Sequence, residues 1–462
     1  MTDDPVRQRL AEATRSWRAA PDDLGARTWL ARLLHRHADD AGPEHRDAIA
    51  AMIRDPDIDP GQFELAGWVA LAGDFPDEAD AARWLETNDL AIALLEQAQV
   101  TDADAERLLS GVRRRLLLDR RARDFPRAAA ALVAQAAING GAWPFDADER
   151  AALAGDPAFA PAYLPPRPGG DAADYTGTVT RAVAAQYTGW PYPVWQRSNR
   201  QPARLINATL AATGPGAPQL PERAKILIAG CGTGREASIV ARTAPDAEVI
   251  AIELSEESLA MARARCAGQA NLRFVRRDLH AVAELGERFD YIASSGVLHH
   301  LPDPEAGWAA LVDVLKPGGV MFVALYSRIA RLAVTAARMR LGELIDQPVG
   351  DDLIREARRR LIASPVPGIT NSRDFFSTPG AHDLLFHVHE DSFDVPRIGR
   401  ALDALGLRLL RFQLPGARDV AAYRELAPLD PLQRDLRAWH EFEKRHPDTF
   451  AGMYKFTVTK PA

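Results

Sequence analysis

The sequence predicts a doubly wound α/β domain, built on a mostly parallel sheet with a helical insertion and preceded by an all-helical N-terminal domain. Two observations carry this. From Ala224 onward short β-rich runs alternate with helical runs, an order that specifies parallel strands covered on both faces. Before Gly155 the apolar spacing is helical nearly throughout.

Taken in order, residues 1–155 form the helical domain, with breaks at Pro21, Gly42-Pro43, Asp57 to Pro60 and Asp74 to Pro76, and no recurring period. Thr101-Asp-Ala-Asp104 has the form of a capping box ahead of an Arg-rich helix. In that helix Leu108, Leu109, Val112 and Leu116 share a face. Asp119 and Asp124 interrupt the charge of Arg113, Arg114, Arg115, Arg120, Arg121 and Arg123, so a solvated amphipathic helix is expected.

Residues 156–200 read as a linker, because the prolines of Asp156 to Gly170 disfavour helix. After a short helix, Val179 to Tyr187, two prolines stiffen an aromatic strap, Gln186 to Trp195. The strap is expected to pack across the next domain, and its Tyr192 and Trp195 are the candidates if it also covers the substrate side of the active site. The core, 201–326, places strands at Lys225 to Ala229, Glu248 to Ile252, Leu272 to Val275, Phe289 to Ala293 and Val320 to Leu325. A helical insertion, 327–404, is expected to cap the substrate site. Two late strands, Leu407 to Gln413 and Met453 to Thr459, fall within the last segment, 405–462.

With 462 residues the chain should form two or three structural units. A net charge of -7 argues against a bulk electrostatic grip on nucleic acid. Two cysteines are too few for a disulfide framework, and no apolar run approaches the ~18 residues that a membrane span needs. The expected compartment is the cytoplasm. The N-terminal helices are expected to offer a surface to a protein partner or to a second copy.

The chemistry gathers at the strand ends. The first strand ends in Ala229-Gly230-Cys231-Gly232-Thr233-Gly234 and runs into a helix. Such a turn lets backbone pass close under a ligand and aims free N–H groups at it. The dinucleotide fingerprint requires a third glycine at position 235, where this chain has Arg235, so a nicotinamide-dependent oxidoreductase is a disfavoured alternative. Glu253-Leu254 closes the second strand, where an acid can accept from ribose hydroxyls. Asp278-Leu279 closes the third, where Asp278 can accept from an exocyclic amine and Leu279 supplies an apolar wall. The fourth runs through Ser295 to His299 and His300, followed by Asp303-Pro304 as a helix start.

In order and spacing, LIAGCGTGRE, the acid of VIAIELS, RFVRRDL, FDYIASSGVLHHLPDP and LKPGGVMFVALYS resemble the motifs of class I, Rossmann-like methyltransferases that use S-adenosylmethionine (SAM). YTGWPYPVW, DLLFHVHEDSFDVPRIGRALDALGL and WHEFEKRHPDTFAGMYKF are similar to segments of bacterial methyltransferases with a helical, often tetratricopeptide, N-terminal region. The resemblance implies SAM as cofactor, with Gly230, Gly232 and Gly234 at its methionine part, Glu253 at the ribose, Asp278 and Leu279 at the adenine, and Ser295 near the methyl group; Cys231 and Leu254 are further candidates for binding the cofactor. The expected acceptor is a small molecule or a protein side chain, since the net charge of -7 disfavours RNA or DNA. A SAM-binding regulatory or scaffold protein without catalysis is the alternative.

In-line methyl transfer needs alignment first and a base only when the acceptor arrives protonated. His299, His300, His387 and Asp374 are the candidates for catalytic roles, with positioning preferred over proton transfer for the histidine pair. Tyr326 and Glu390 join Tyr192 and Trp195 as candidates facing the acceptor. No metal is expected: His387, His389 and Glu390 lack a Cys partner, and their spacing would have to aim two imidazoles together.

Overall fold

The computed structural model describes residues 4–167, 175, 177–198, 205–414, 416–450 and 452–462. The Gly169-Gly170 end of the expected linker and the start of the expected core at 201 lie outside the described residues. The chain forms two compact units. One comprises Met1–Arg167, Val194–Asn199 and Leu341–Leu384, the other Pro168–Pro193, Arg200–Arg340 and Leu385–Ala462.

The first unit is helical, around a core that includes Leu10, Leu34, Ile49, Phe63, Trp68, Leu94, Leu109, Leu132 and Trp143. Its Arg-rich helix, Ala103–Leu118, is capped by Asp102, which accepts from the Ala105 amide, and not by Thr101. Arg114, Arg115 and Arg121 pair at the surface with Asp146, Glu78 and Asp124. Arg113 departs from the solvated reading. It is 1% exposed and donates to Glu149 Oε1 at 2.9 Å and to the Pro144 carbonyl at 2.7 Å. A buried guanidinium is tolerable only with such partners.

The expected insertion divides between the units, since 341–384 belongs to the helical one. Buried charge accounts for this. Arg358 of the helix Asp351–Ala363 is paired with Glu106, Arg355 donates to the Gly141 and Tyr163 carbonyls, and Arg373 forks onto Glu64 at 2.9 and 3.0 Å.

The second unit is built on one sheet: β1 (Lys225–Ala229), β2 (Glu248–Glu253), β3 (Leu272–Arg276), β4 (Phe289–Ser295), β5 (Leu315–Tyr326), β6 (Arg408–Phe412) and β7 (Met453–Thr459), in the order β3-β2-β1-β4-β5-β7-β6. All pairings are parallel except those of β7, which runs antiparallel between β5 and β6. Apolar residues of both faces bury the sheet, with Leu227, Ile250, Ile292 and Met321 on one side and Ile226, Val249, Ala251 and Ala293 on the other. Helices Arg235–Thr243, Glu256–Arg265 and Pro304–Val314 connect successive strands, the last capped by Asp303 with Pro304 in its first turn. The chain reverses direction across the sheet between β1 and β4. In such sheets the ligand crevice opens at the carboxyl ends of the strands beside that reversal.

Candidate active site

The loop after β1 takes its shape from its glycines. Gly230, Gly232 and Gly234 have φ of 75°, 52° and 91°, in the left-handed region that side chains resist. A Cβ on Gly232 would stand 2.3 Å from the Tyr192 carbonyl oxygen. That carbonyl accepts from the Thr233 amide at 3.1 Å, and the Thr233 hydroxyl donates to the Pro193 carbonyl at 2.6 Å. The aromatic strap, as far as Pro193, is therefore laid backbone to backbone on the glycine loop. The amides of Gly230 and Cys231 both donate to the Ile252 carbonyl, tying the loop to β2. The Cys231 thiol is buried, which pushes its pKa well up and leaves it unreactive.

Glu253 closes β2 with its carboxylate buried. Oε2 accepts from the Gly232 amide at 2.9 Å, and Oε1 from the Leu254 and Ser255 amides at 2.8 and 3.1 Å. Burial pushes its pKa up, and the Ser255, Gly232 and Leu254 amides pull it back. A carboxylate offers about four acceptor sites. Three amides occupy most of them and fix the orientation of the one that remains, which suits a group bringing a hydroxyl to this edge. The Leu254 carbonyl accepts from the Tyr175 hydroxyl at 2.7 Å, and the Arg276 guanidinium lies over the Tyr175 ring at 5.2 Å. No sequence signal marked Tyr175. Asp278 caps the turn Leu279–Leu285 through the His280 amide at 2.9 Å, beside buried Leu279. Ser295 pairs with Ala324 across β4 and β5.

At the ends of β4 and β5 the rings form a ladder. Tyr187 lies 5.8 Å from His387, His387 stacks on His300 at 3.7 Å, His300 meets His299 edge-on at 4.3 Å, and His299 stacks on Tyr326 at 3.8 Å. Arg331 covers the Tyr326 ring at 4.3 Å and is paired with Glu390. Hydrogen bonds assign each imidazole's proton. His299 Nδ1 accepts from the Tyr326 amide at 3.1 Å, so its proton sits on Nε2. His300 Nδ1 donates to the His389 carbonyl at 3.0 Å, leaving its lone pair on Nε2. His387 Nδ1 accepts from the His389 amide at 3.1 Å, so its Nε2 donates to the Tyr187 hydroxyl at 3.2 Å. Of the three rings, His300 alone keeps its lone pair on Nε2.

Tyr187 joins the two ends of the site. Its carbonyl accepts from the Ser255 and Ser258 hydroxyls at 3.1 and 3.3 Å, next to Glu253, while its hydroxyl meets His387. Buried His299 Nε2 and Ser294 Oγ have no hydrogen-bond partner among the described residues, which suits a crevice whose ligand supplies one. Trp195 and Asp374, expected beside these groups, belong to the other compact unit. There Trp195 is buried and Asp374 lies on the turn Arg373–Phe376.

Burial holds His300 neutral by pushing its pKa down to about 4, and drives that of His299 well below its ordinary value. Both take up protons on unfolding. Their contribution is present above about pH 6.5 and is lost as pH falls toward the folded-state values. For His300 that window is worth on the order of 3 kcal/mol. In thermal melts, His300→Phe should therefore lose less stability than the wild type between pH 7.5 and 4.5. Equal losses would mean that His300 charges in the folded state.

A family model described as a methyltransferase domain matches residues 226–319. The chain is 33% identical over 257 residues to an uncharacterized protein of Synechococcus sp., covering 51% of this chain and 60% of that one. It is 30% identical over 176 residues to the ubiquinone biosynthesis O-methyltransferase of Paracidovorax citrulli, covering 37% of this chain and 73% of that one. Among solved structures it is similar to PKMT2 from Rickettsia typhi in complex with AdoHcy, at 18% identity and a TM-score of 0.44, over 58% of this chain and 54% of that one. The chain spans 60%, 49% and 46% of the lengths of the first three curated relatives it matches. Strand order, glycine loop, acid at the end of β2, the family-model match and the Paracidovorax relative converge: the chain belongs to the class I SAM-dependent methyltransferases.

Proposed function

We propose that the protein transfers a methyl group from SAM to a small-molecule or protein side-chain acceptor, and that it does so in the cytoplasm. The observation that carries this reading is the Glu253 carboxylate, held by three backbone amides at the carboxyl edge of the sheet beside the glycine loop. SAM, when bound, supplies an electrophilic methyl on a positively charged sulfur with a good leaving group.

In this reading Gly230, Cys231, Gly232 and Gly234 line the methionine part, Glu253 and Leu254 hold the ribose, Asp278 and Leu279 face the adenine, and Ser295 lies near the methyl. Tyr326, Glu390, His300 and His387 face the acceptor, while His299 positions the end of β5 through its bond to the Tyr326 amide. Tyr192 seats the strap on the loop, and Trp195 and Asp374 remain acceptor candidates. The name of the Paracidovorax relative favours an oxygen nucleophile as the methylated atom.

Calorimetry with SAM, S-adenosylhomocysteine and NAD tests the cofactor. SAM and S-adenosylhomocysteine should bind and NAD should not. Glu253→Ala should weaken SAM by ~1 to 3 kcal/mol, the scale of hydrogen bonds to a charged group. Tight NAD binding with a silent SAM titration would reverse the reading. Incubation with labelled SAM and cell extract, followed by mass spectrometry, identifies the acceptor. Catalytic silence with every extract would favour the regulatory alternative.

A further inference from the structure

Glu236 lies two residues past Gly234, in the first turn of the helix Arg235–Thr243. At that place it stands at the carboxyl end of β1, where the crevice opens. Its neighbours show which way it turns. The charged and titratable groups that act on it are Lys455 of β7 and Arg235 of its own helix, and it acts in turn on half-buried Tyr291 of β4. The side chain therefore reaches away from β2, toward the β4, β5 and β7 side of the sheet.

The register defines what lies on that side. Ser295 pairs with Ala324 and Ala324 with Lys455, so one row crosses β4, β5 and β7 at the ligand edge. Tyr291, four residues before Ser295 on β4, shares its face of the sheet. Glu236 is thus placed between the glycine loop and the row that begins at Ser295.

Glu236 is partly exposed, and among the described residues it accepts no hydrogen bond and forms no ion pair within 4 Å. A carboxylate set in protein is normally paired or bonded. Among the described residues, Glu253 is held by three amides, Asp278 accepts from the His280 amide through one oxygen, and Glu390 is paired with Arg331. Glu236 keeps both oxygens available.

We infer that Glu236 faces the acceptor and receives its proton, so that the methylated group is a hydroxyl or an amine and not a carboxylate. This rests on the methyltransferase reading above. As the acceptor's oxygen or nitrogen bonds to the methyl carbon, the carbon–sulfur bond breaks with its electron pair passing to sulfur. The acceptor's proton passes to Glu236, and the positive sulfonium and negative carboxylate end as neutral thioether and carboxylic acid. Burial pushes the Glu236 pKa up to about 7, in spite of Lys455 and Arg235, which suits a base that must let go of its proton between turnovers.

The test needs no acceptor. SAM is a cation at sulfur and S-adenosylhomocysteine is not, so a carboxylate facing the sulfonium favours SAM only when ionised. Calorimetry of the full-length protein should show the preference for SAM over S-adenosylhomocysteine rising roughly three- to tenfold from about pH 6 to about pH 8. Glu236→Gln should hold the preference flat with unchanged S-adenosylhomocysteine affinity. Lys455→Met removes a charge that favours ionisation and should move the rise to higher pH, a readout that survives if the glutamine variant fails to fold. A flat preference in wild type that binds both ligands, or a rise that persists in Glu236→Gln, overturns the assignment and leaves the cofactor reading standing. Failure of wild type to bind either ligand overturns both.

Discussion

Gly232→Ala should reduce SAM affinity by about a hundredfold and lower the melting temperature. Two costs combine. The residue has a φ of 52°, where a side chain costs ~1 to 2 kcal/mol. Its Cβ would also stand 2.3 Å from the Tyr192 carbonyl oxygen, so the strap must lift and release the Thr233 amide, a further ~1 kcal/mol. Together these reach on the order of 3 kcal/mol, about two factors of ten in a binding constant. Moving the loop also moves the Gly232 amide off Glu253, so the damage reaches the proposed ribose site. Gly286→Ala is the control, since it has a φ of 67° but nothing within 4 Å of the added carbon. It should cost ~1 kcal/mol of stability and leave SAM affinity alone. If Gly232→Ala binds SAM as well as wild type, the strap does not rest on the loop in solution.

How much of this site was legible depended on how far apart in sequence its partners lie. The glycine loop, Glu253, Asp278 and Ser295 fall at the ends of consecutive strands, so the same periodicity that located each strand located its terminal residue. The strap was legible as a stiff aromatic segment. That it presents a carbonyl, and not a ring, to Gly232 was not, because backbone contacts leave no residue signature. The ladder was half legible. His299, His300, His387, Tyr326 and Glu390 stood out as chemistry-bearing residues. Their order did not, because Tyr187 meets His387 across 200 residues of sequence. Glu236 was overlooked for a related reason: in a first helical turn an acid has a sufficient local explanation in the helix dipole. Its neighbours Lys455 and Tyr291 lie on strands far from it in sequence, so only the folded sheet brings them to it.

Arg358→Met should be the most damaging single change in the helical unit. In DDLIREARRRLIA the arginines look like the charged face of a surface helix, yet Arg358 is 0% exposed. Its guanidinium donates to Glu106 Oε1 at 3.1 Å and Oε2 at 2.6 Å, to the Ala142 carbonyl at 2.6 Å and to the Phe375 carbonyl at 2.6 Å, beneath the Phe375 ring. Glu106, 252 positions earlier, is itself buried. Removing the arginine strands a carboxylate in the core together with two carbonyls, and breaking such a pair costs ~3 to 5 kcal/mol. Removing both charges should cost less, because the stranded carboxylate accounts for much of the penalty. Arg358→Met with Glu106→Leu is accordingly expected to recover ~1 to 2 kcal/mol relative to Arg358→Met alone, the two carbonyls accounting for what remains. Two compact units need not melt together, so the measurement is the midpoint of each transition in a denaturant series, followed by calorimetry and circular dichroism. Should the single variant melt like wild type, the buried pair is not what holds 341–384 to the helices of its unit. Should the double variant prove worse than the single one, the penalty belongs to lost packing and lost carbonyl bonds and not to the uncompensated charge.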